Sequence, residues 1–180
     1  MNPRRTLATL WQHQLDEVLA DPHEPRQGEN GARGWLLDAG VPDVIDPYLT
    51  EMPASPSGLV GFAGLDAAGS ALLLERLPVE RLADRSDDAP TLGALLLAAV
   101  RHPVDLELHG YLVGPGRLDE RLTVEGLFVY VVGELMMPPD VERDLGLHAG
   151  RGPDEILRRT NPWRPNEDCW SLRWVSRGGR

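Results

Sequence analysis

Glu107, His109 and Tyr111 stand at alternate positions in the run 104–113, and Thr123 and Glu125 do the same in the run 122–132. If the two runs pair as strands, one face gathers an imidazole, carboxylates and a phenol, groups that take up and release protons in general acid and base chemistry. Glu107, His109 and Glu125 are therefore the candidate catalytic residues. Alternation along any half-exposed strand makes a polar stripe of this kind, however, and no local spacing fixes a nucleophile beside His109.

A second constellation lies at the C-terminal end. Residues 158–180 hold six arginines against Glu167 and Asp168, a local balance of +4, while the rest of the chain carries -14. Three of the five tryptophans fall in the same segment. Arginine and tryptophan combine large contact area with directional polar groups and dominate binding energy at many protein interfaces. Trp163, Arg164, Trp170, Arg173 and Trp174 are the candidate contact residues. The competing expectation is plainer: Trp170 and Trp174 form the inward face of an ordinary terminal strand, with Arg173 pointing outward. Self-association, or a contact between this basic end and the acidic body, is a third option.

Composition removes several classes of chemistry. All 18 cationic side chains are arginine, so a lysine-dependent phosphate loop, a Schiff-base enzyme and a lysine general base are excluded. This usage matches the codon bias of a GC-rich genome. A formal charge of -10 argues against nucleic acid as the main partner, because affinity for phosphates comes from neutralising them with cations. The single cysteine, Cys169, forms neither an internal disulfide nor a cysteine metal site, and fits a reducing compartment. His13, His23, His102 and His148 show no metal-ligand spacing, and the short 114–116 and 150–152 glycine runs lack the strand, turn and helix order of a nucleotide site. No metal or cofactor is expected. Arg4 and Arg5 precede a polar stretch instead of an apolar one, so no signal peptide is read, and the apolar run 92–100 is far short of the roughly 20 residues that span a bilayer.

The elements that position these groups follow from periodicity. Residues 6–20 carry Leu7, Leu10, Trp11, Leu15, Val18 and Leu19 on one helical stripe, which predicts an amphipathic N-terminal helix. A polar loop follows to residue 33, then short helices at 34–39 and 41–49. Glycines 58, 61 and 64 with the run 70–77 predict a first β-hairpin. Asp87 or Asp88 is expected to cap an apolar helix over 92–100, which Pro103 stops. The runs 104–113 and 122–132 predict a second hairpin joined by a charged, protruding loop at 114–121. Short helices are expected to open at Pro138 and at Pro153, the latter running to 159, before a last strand with Trp170, Leu172 and Trp174. Gly110 and Gly126, inside long strands, predict close approach of the 92–100 helix or an aromatic ring. Met136 and Met137 with Pro138 and Pro139 are expected to fill gaps in the core.

Together these features predict a single α+β domain over 1–180: N-terminal helix and polar loop at 1–33, an α+β core at 34–157, and an Arg/Trp-rich strand and tail at 158–180. Antiparallel hairpins pack on a buried apolar helix. The function expected is that of a non-enzymatic binding or accessory protein of the bacterial cytoplasm, acting on another protein or on itself without membrane or nucleic acid. The alternative is a small enzyme with a pocket built on the polar face of the second hairpin.

Overall fold

The computed structural model describes residues 6–51, 59–130, 138–161, 164 and 167–175. Its class is α+β: two sheets, one of two strands and one of five, accompany six helices among these residues. None of the described helices is long and apolar enough to cross a membrane. By Cα proximity the chain forms two compact units, Met1–Phe62 with Tyr111–Leu122, and Ala63–Gly110 with Thr123–Arg180.

The first unit begins with α1 (Leu7–Ala20). Thr6 caps it by accepting the Thr9 amide at 3.2 Å, and Leu7, Leu10, Trp11, Gln14 and Leu15 form its buried stripe. Asp46 accepts the Leu7 amide at 2.9 Å and ties the helix start to the short helices behind it, α2 (Trp35–Asp38), α3 (Val41–Ile45) and a 3-10 turn at Asp46–Tyr48. The polar stretch before α2 is built structure and no loose arm: β1 (Gln27–Gly28) pairs antiparallel with β2 (Gly31–Ala32).

The connection 114–120 differs from the protruding loop expected. Glu120 is 2% exposed, and its carboxylate accepts the backbone N–H groups of Gly34 at 2.7 Å and Leu36 at 3.0 Å, closing the start of α2. The Glu120 carbonyl accepts from Trp35 Nε1 and Asn30 Nδ2, both at 3.2 Å. Burial pushes the Glu120 carboxyl above the usual range, against those two amides, which favour its charged form. Arg33, also buried, donates to Pro25 O, Pro115 O and the Glu24 carboxylate at 2.7–3.0 Å. The sequence pattern showed these charges; it did not show that backbone amides of another segment would draw Glu120 inward, or backbone carbonyls Arg33.

The second unit holds most of the five-stranded sheet, whose order is β3 (Leu59–Leu65), β4 (Leu106–Val113), β5 (Arg121–Tyr130), β7 (Asp168–Arg173), β6 (Glu155–Thr160). The predicted strand at 70–77 is instead α4 (Ala67–Arg76). Asp66 caps it by accepting the Gly69 amide at 2.9 Å, and burial at Gly69, Ser70, Leu73 and Leu77 follows a helical period. α4 packs along α6 (Leu92–Arg101), the expected apolar helix, which buries Leu92, Leu95, Leu96, Ala98 and Ala99. Thr91, and neither Asp87 nor Asp88, is its cap, accepting the Ala94 amide at 3.2 Å. α5 (Val79–Leu82) approaches α6 closely at Gly93.

Two further helices were expected and are not formed. Residues 141–145 make turns, and 155–160 form β6, whose pairing with β7 supplies non-local hydrogen bonds that a helix of so few residues lacks the length to match. Met136 and Met137 lie outside the described residues.

Replacing Glu120 by Ala strands two buried amides at the start of α2. Each costs on the order of 1–3 kcal/mol when unpaired, so Glu120→Ala lowers unfolding free energy by about 3 kcal/mol in urea titrations, and Glu120→Gln loses less because one acceptor remains.

Candidate functional site

Pairing of β5 with β7 sets Gly126 opposite Arg173, Phe128 opposite Ser171 and Tyr130 opposite Cys169; pairing of β6 with β7 adds Glu155 beside Arg173, Leu157 beside Ser171 and Arg159 beside Cys169. Directly opposed residues share a face, so these side chains form one surface of the sheet. Glu107 and His109 of β4 join it: Glu107 accepts a hydrogen bond from the Tyr130 hydroxyl, and the His109 ring lies 4.8 Å from that of Phe128.

Glu107 is 5% exposed and fully engaged. One carboxylate oxygen accepts from Tyr130, the other from Arg164, whose guanidinium also lies 4.4 Å over the Tyr130 ring. Asn161, itself buried, donates to the Tyr130 hydroxyl. Burial and the Glu107 carboxylate together push the Tyr130 phenol above its ordinary value. A carboxylate held by a cation and a phenol, beside a phenol that keeps its proton, is a structural polar network; neither group is free to move a proton for a substrate.

His109 stands differently. Desolvation, with Arg173 and Arg159 nearby, pulls its imidazole down to about 4, so it is neutral near pH 7. Its Nε2 is buried without a hydrogen-bond partner and faces Gly126, where an added Cβ would come within 2.7 Å. The close approach predicted at Gly126 comes first from the Leu172 carbonyl oxygen of β7 and then from this imidazole on β4. At Gly110 the neighbour is the backbone of Thr123 and Val124; neither a helix nor an aromatic ring fills it. Glu125, the third candidate, is half-buried and pairs with Arg173 at 3.4 Å. The structure therefore brings Glu107 and His109 onto one face, with Glu107 committed to Tyr130 and Arg164. Among the described residues no group of three or more His, Cys, Asp or Glu is placed to hold a metal ion.

The Arg/Trp residues divide. Trp174 is 2% exposed; its indole donates to Arg151 O at 3.3 Å and its amide to Glu125 O at 2.9 Å. Trp170 is half-buried opposite Val129 and Arg158. Arg164 turns inward over Tyr130, and Arg173 bridges Glu125 at 3.4 Å and Glu155 at 3.6 Å. Trp163 lies outside the described residues. Cys169 is fully buried, its thiol pushed up by burial.

What sequence reasoning missed is β6. It ends the sheet, all six of its residues are exposed, and Ile156 and Leu157 show 40% and 53% of their surface. Arg158 pairs with Asp168 at 3.2 Å, while Arg159 reaches over the Phe128 ring at 5.4 Å. Glu-Ile-Leu-Arg-Arg-Thr has no period-2 alternation to mark a strand, and the proline at 153 resembles a helix start.

No protein-family model, curated protein or solved structure matches the chain.

The depressed His109 value gives a pH dependence. The unfolded chain binds a proton below about 6.5 and the folded chain only near 4, so this contribution to stability is complete above pH 6.5 and falls by about 1.4 kcal/mol per pH unit between the two values. At pH 5 the loss is about 2 kcal/mol relative to pH 7. In His109→Phe this part of the slope disappears from unfolding curves measured across that range.

Proposed function

We propose that the chain is a non-enzymatic protein-binding module whose contact surface is the basic outer edge of the five-stranded sheet. One observation carries the reading: β6 presents six exposed residues at a sheet edge that is unpaired among the described residues, two of them large aliphatics and two arginines. An open edge offers backbone donors and acceptors to an incoming strand, and alternate side chains supply selectivity. Arg158 and Arg159 belong to the arginine-rich segment from which a contact was expected. The working residues proposed are Ile156, Leu157, Arg158 and Arg159, with Arg173 beside them, because Trp174 is buried and Arg164 is held by Glu107 and the Tyr130 ring. A reducing, cytoplasmic setting suits the one thiol, Cys169, which is buried.

The test is native mass spectrometry of the chain purified gently from its own host, wild type beside Leu157→Asp. A stoichiometric protein complex is expected in the wild type and absent in the variant, with far-UV circular dichroism unchanged. A complex of equal stoichiometry in both would place the contact elsewhere, and a bound small molecule in its stead would favour a pocket on the His109 face.

A further inference from the structure

β6 is complementary to itself. The direction of its free backbone groups follows from two hydrogen bonds and the register. Asn161 N–H donates to Glu167 O, continuing the β6–β7 register in which Thr160 faces Asp168; Trp174 N–H donates to Glu125 O, continuing the β5–β7 register in which Arg173 faces Gly126. Backbone groups alternate along a strand. Residues 155, 157 and 159 therefore point their N–H and C=O groups at β7, and 156, 158 and 160 point theirs away from the sheet.

An antiparallel neighbour must meet outward groups with outward groups. For a second copy of β6, this excludes the register that would overlap all six residues, since it opposes outward 158 to inward 157. Two registers overlap five. One is centred on Arg158 and sets that arginine against itself. The other is centred on Leu157: Glu155 then faces Arg159 of the second copy, Arg159 faces its Glu155, Ile156 lies beside the stem of Arg158, and the two Leu157 side chains meet at a position without direct hydrogen bonds, where opposed side chains come closest. Opposite charges thus meet twice and the two most exposed aliphatic groups of the strand are covered. Arg159 is exposed and lies over the Phe128 ring, with no ion pair to a carboxylate of its own chain among the described residues, and Glu155 already leans towards the same face through Arg173.

We infer that two copies of this chain pair through β6, antiparallel about Leu157, joining two five-stranded sheets into one continuous sheet across a two-fold axis. This rests on the reading of β6 as the contact edge and names its occupant. One short strand on each side buries little area, so the dimer forms in the micromolar range and weakens with salt.

Sedimentation of the full chain between 1 and 200 μM, an interval set on the order of such a Kd, tests it. The mass is expected to rise from 19.8 kDa towards twice that value. Glu155→Arg and Arg159→Glu, each setting like charges face to face, weaken association at least tenfold, and the double variant E155R/R159E restores it. Arg158→Pro removes an outward N–H, leaves the bonds to β7 intact and abolishes the dimer. Leu157→Cys cross-links the two copies under mild oxidation, whereas Ile156→Cys does not. A wild type that stays monomeric, or single variants that associate as the wild type does, overturns self-pairing. The protein-binding reading fails separately, when a complex from the host survives Leu157→Asp; a hetero-complex lost in that variant but not restored by the charge swap overturns self-pairing alone.

Discussion

β7 is hydrogen-bonded to β5 on one side and to β6 on the other, and the two registers together decide what each end of the chain does. Residues about 45 positions apart in sequence are locked side by side, with Arg173 against Gly126 and Cys169 against Tyr130. Closing so long a loop is costly in chain entropy and is offset only when many contacts form together. Here they do: Leu172, Cys169, Phe128 and Leu127 are all but inaccessible to solvent, and Trp174 is sealed just beyond the strand. An interior strand that takes both neighbours leaves β6 with one partner, so the exposed edge is a direct consequence of this pairing.

The same pairing explains how the polar face accommodates its buried charges. A buried carboxylate is tolerated only with compensation, and Glu107 receives it from a guanidinium and a phenol at once. Tyr130 in turn accepts from Asn161, and Arg164 extends the cluster to Glu167 at 3.3 Å. His109 Nε2 has no hydrogen-bond partner among the described residues, and the ring responds in the other way open to a buried base, by losing its proton. Three ionisable groups within one face thus reach three different resolutions of a single desolvation problem.

How much of this was legible in the sequence depends on the range of the interactions involved. α1 carries its own signal in a 3.6-residue apolar stripe and α6 in an apolar run stopped by Pro103, and both form where expected, although the cap of α6 is Thr91 and neither Asp87 nor Asp88. β4, β5 and β7 alternate strongly and form as strands. The run 67–76 was misread because apolar residues of that length satisfy both periods; Asp66, able to cap, was the local clue that decides between them. β6 was misread because its strand character comes from β7, which no local pattern displays. The candidate site followed the same division: the shared face of Glu107 and His109 was visible in their spacing, whereas the inward turn of Arg164 and the sealing of Trp174 are tertiary facts.

Arginine on an edge strand is a common protection against unwanted pairing, because a charge buried beneath a foreign strand loses its water. Protection by charge works when like charges meet. Arg158 fits that role: it opposes itself in the register centred upon it, and Asp168 holds it to its own sheet. Arg159 does not fit, since the register that brings most of the strand into contact without setting Arg158 against itself places a carboxylate opposite it. A strand designed only to repel would carry no Glu155 two positions before Leu157 and Arg159 two positions after. The pair of arginines therefore acts as a register filter, excluding one alignment of the edge and favouring the other, and selectivity of that kind is what separates a specific contact from an aggregation-prone edge.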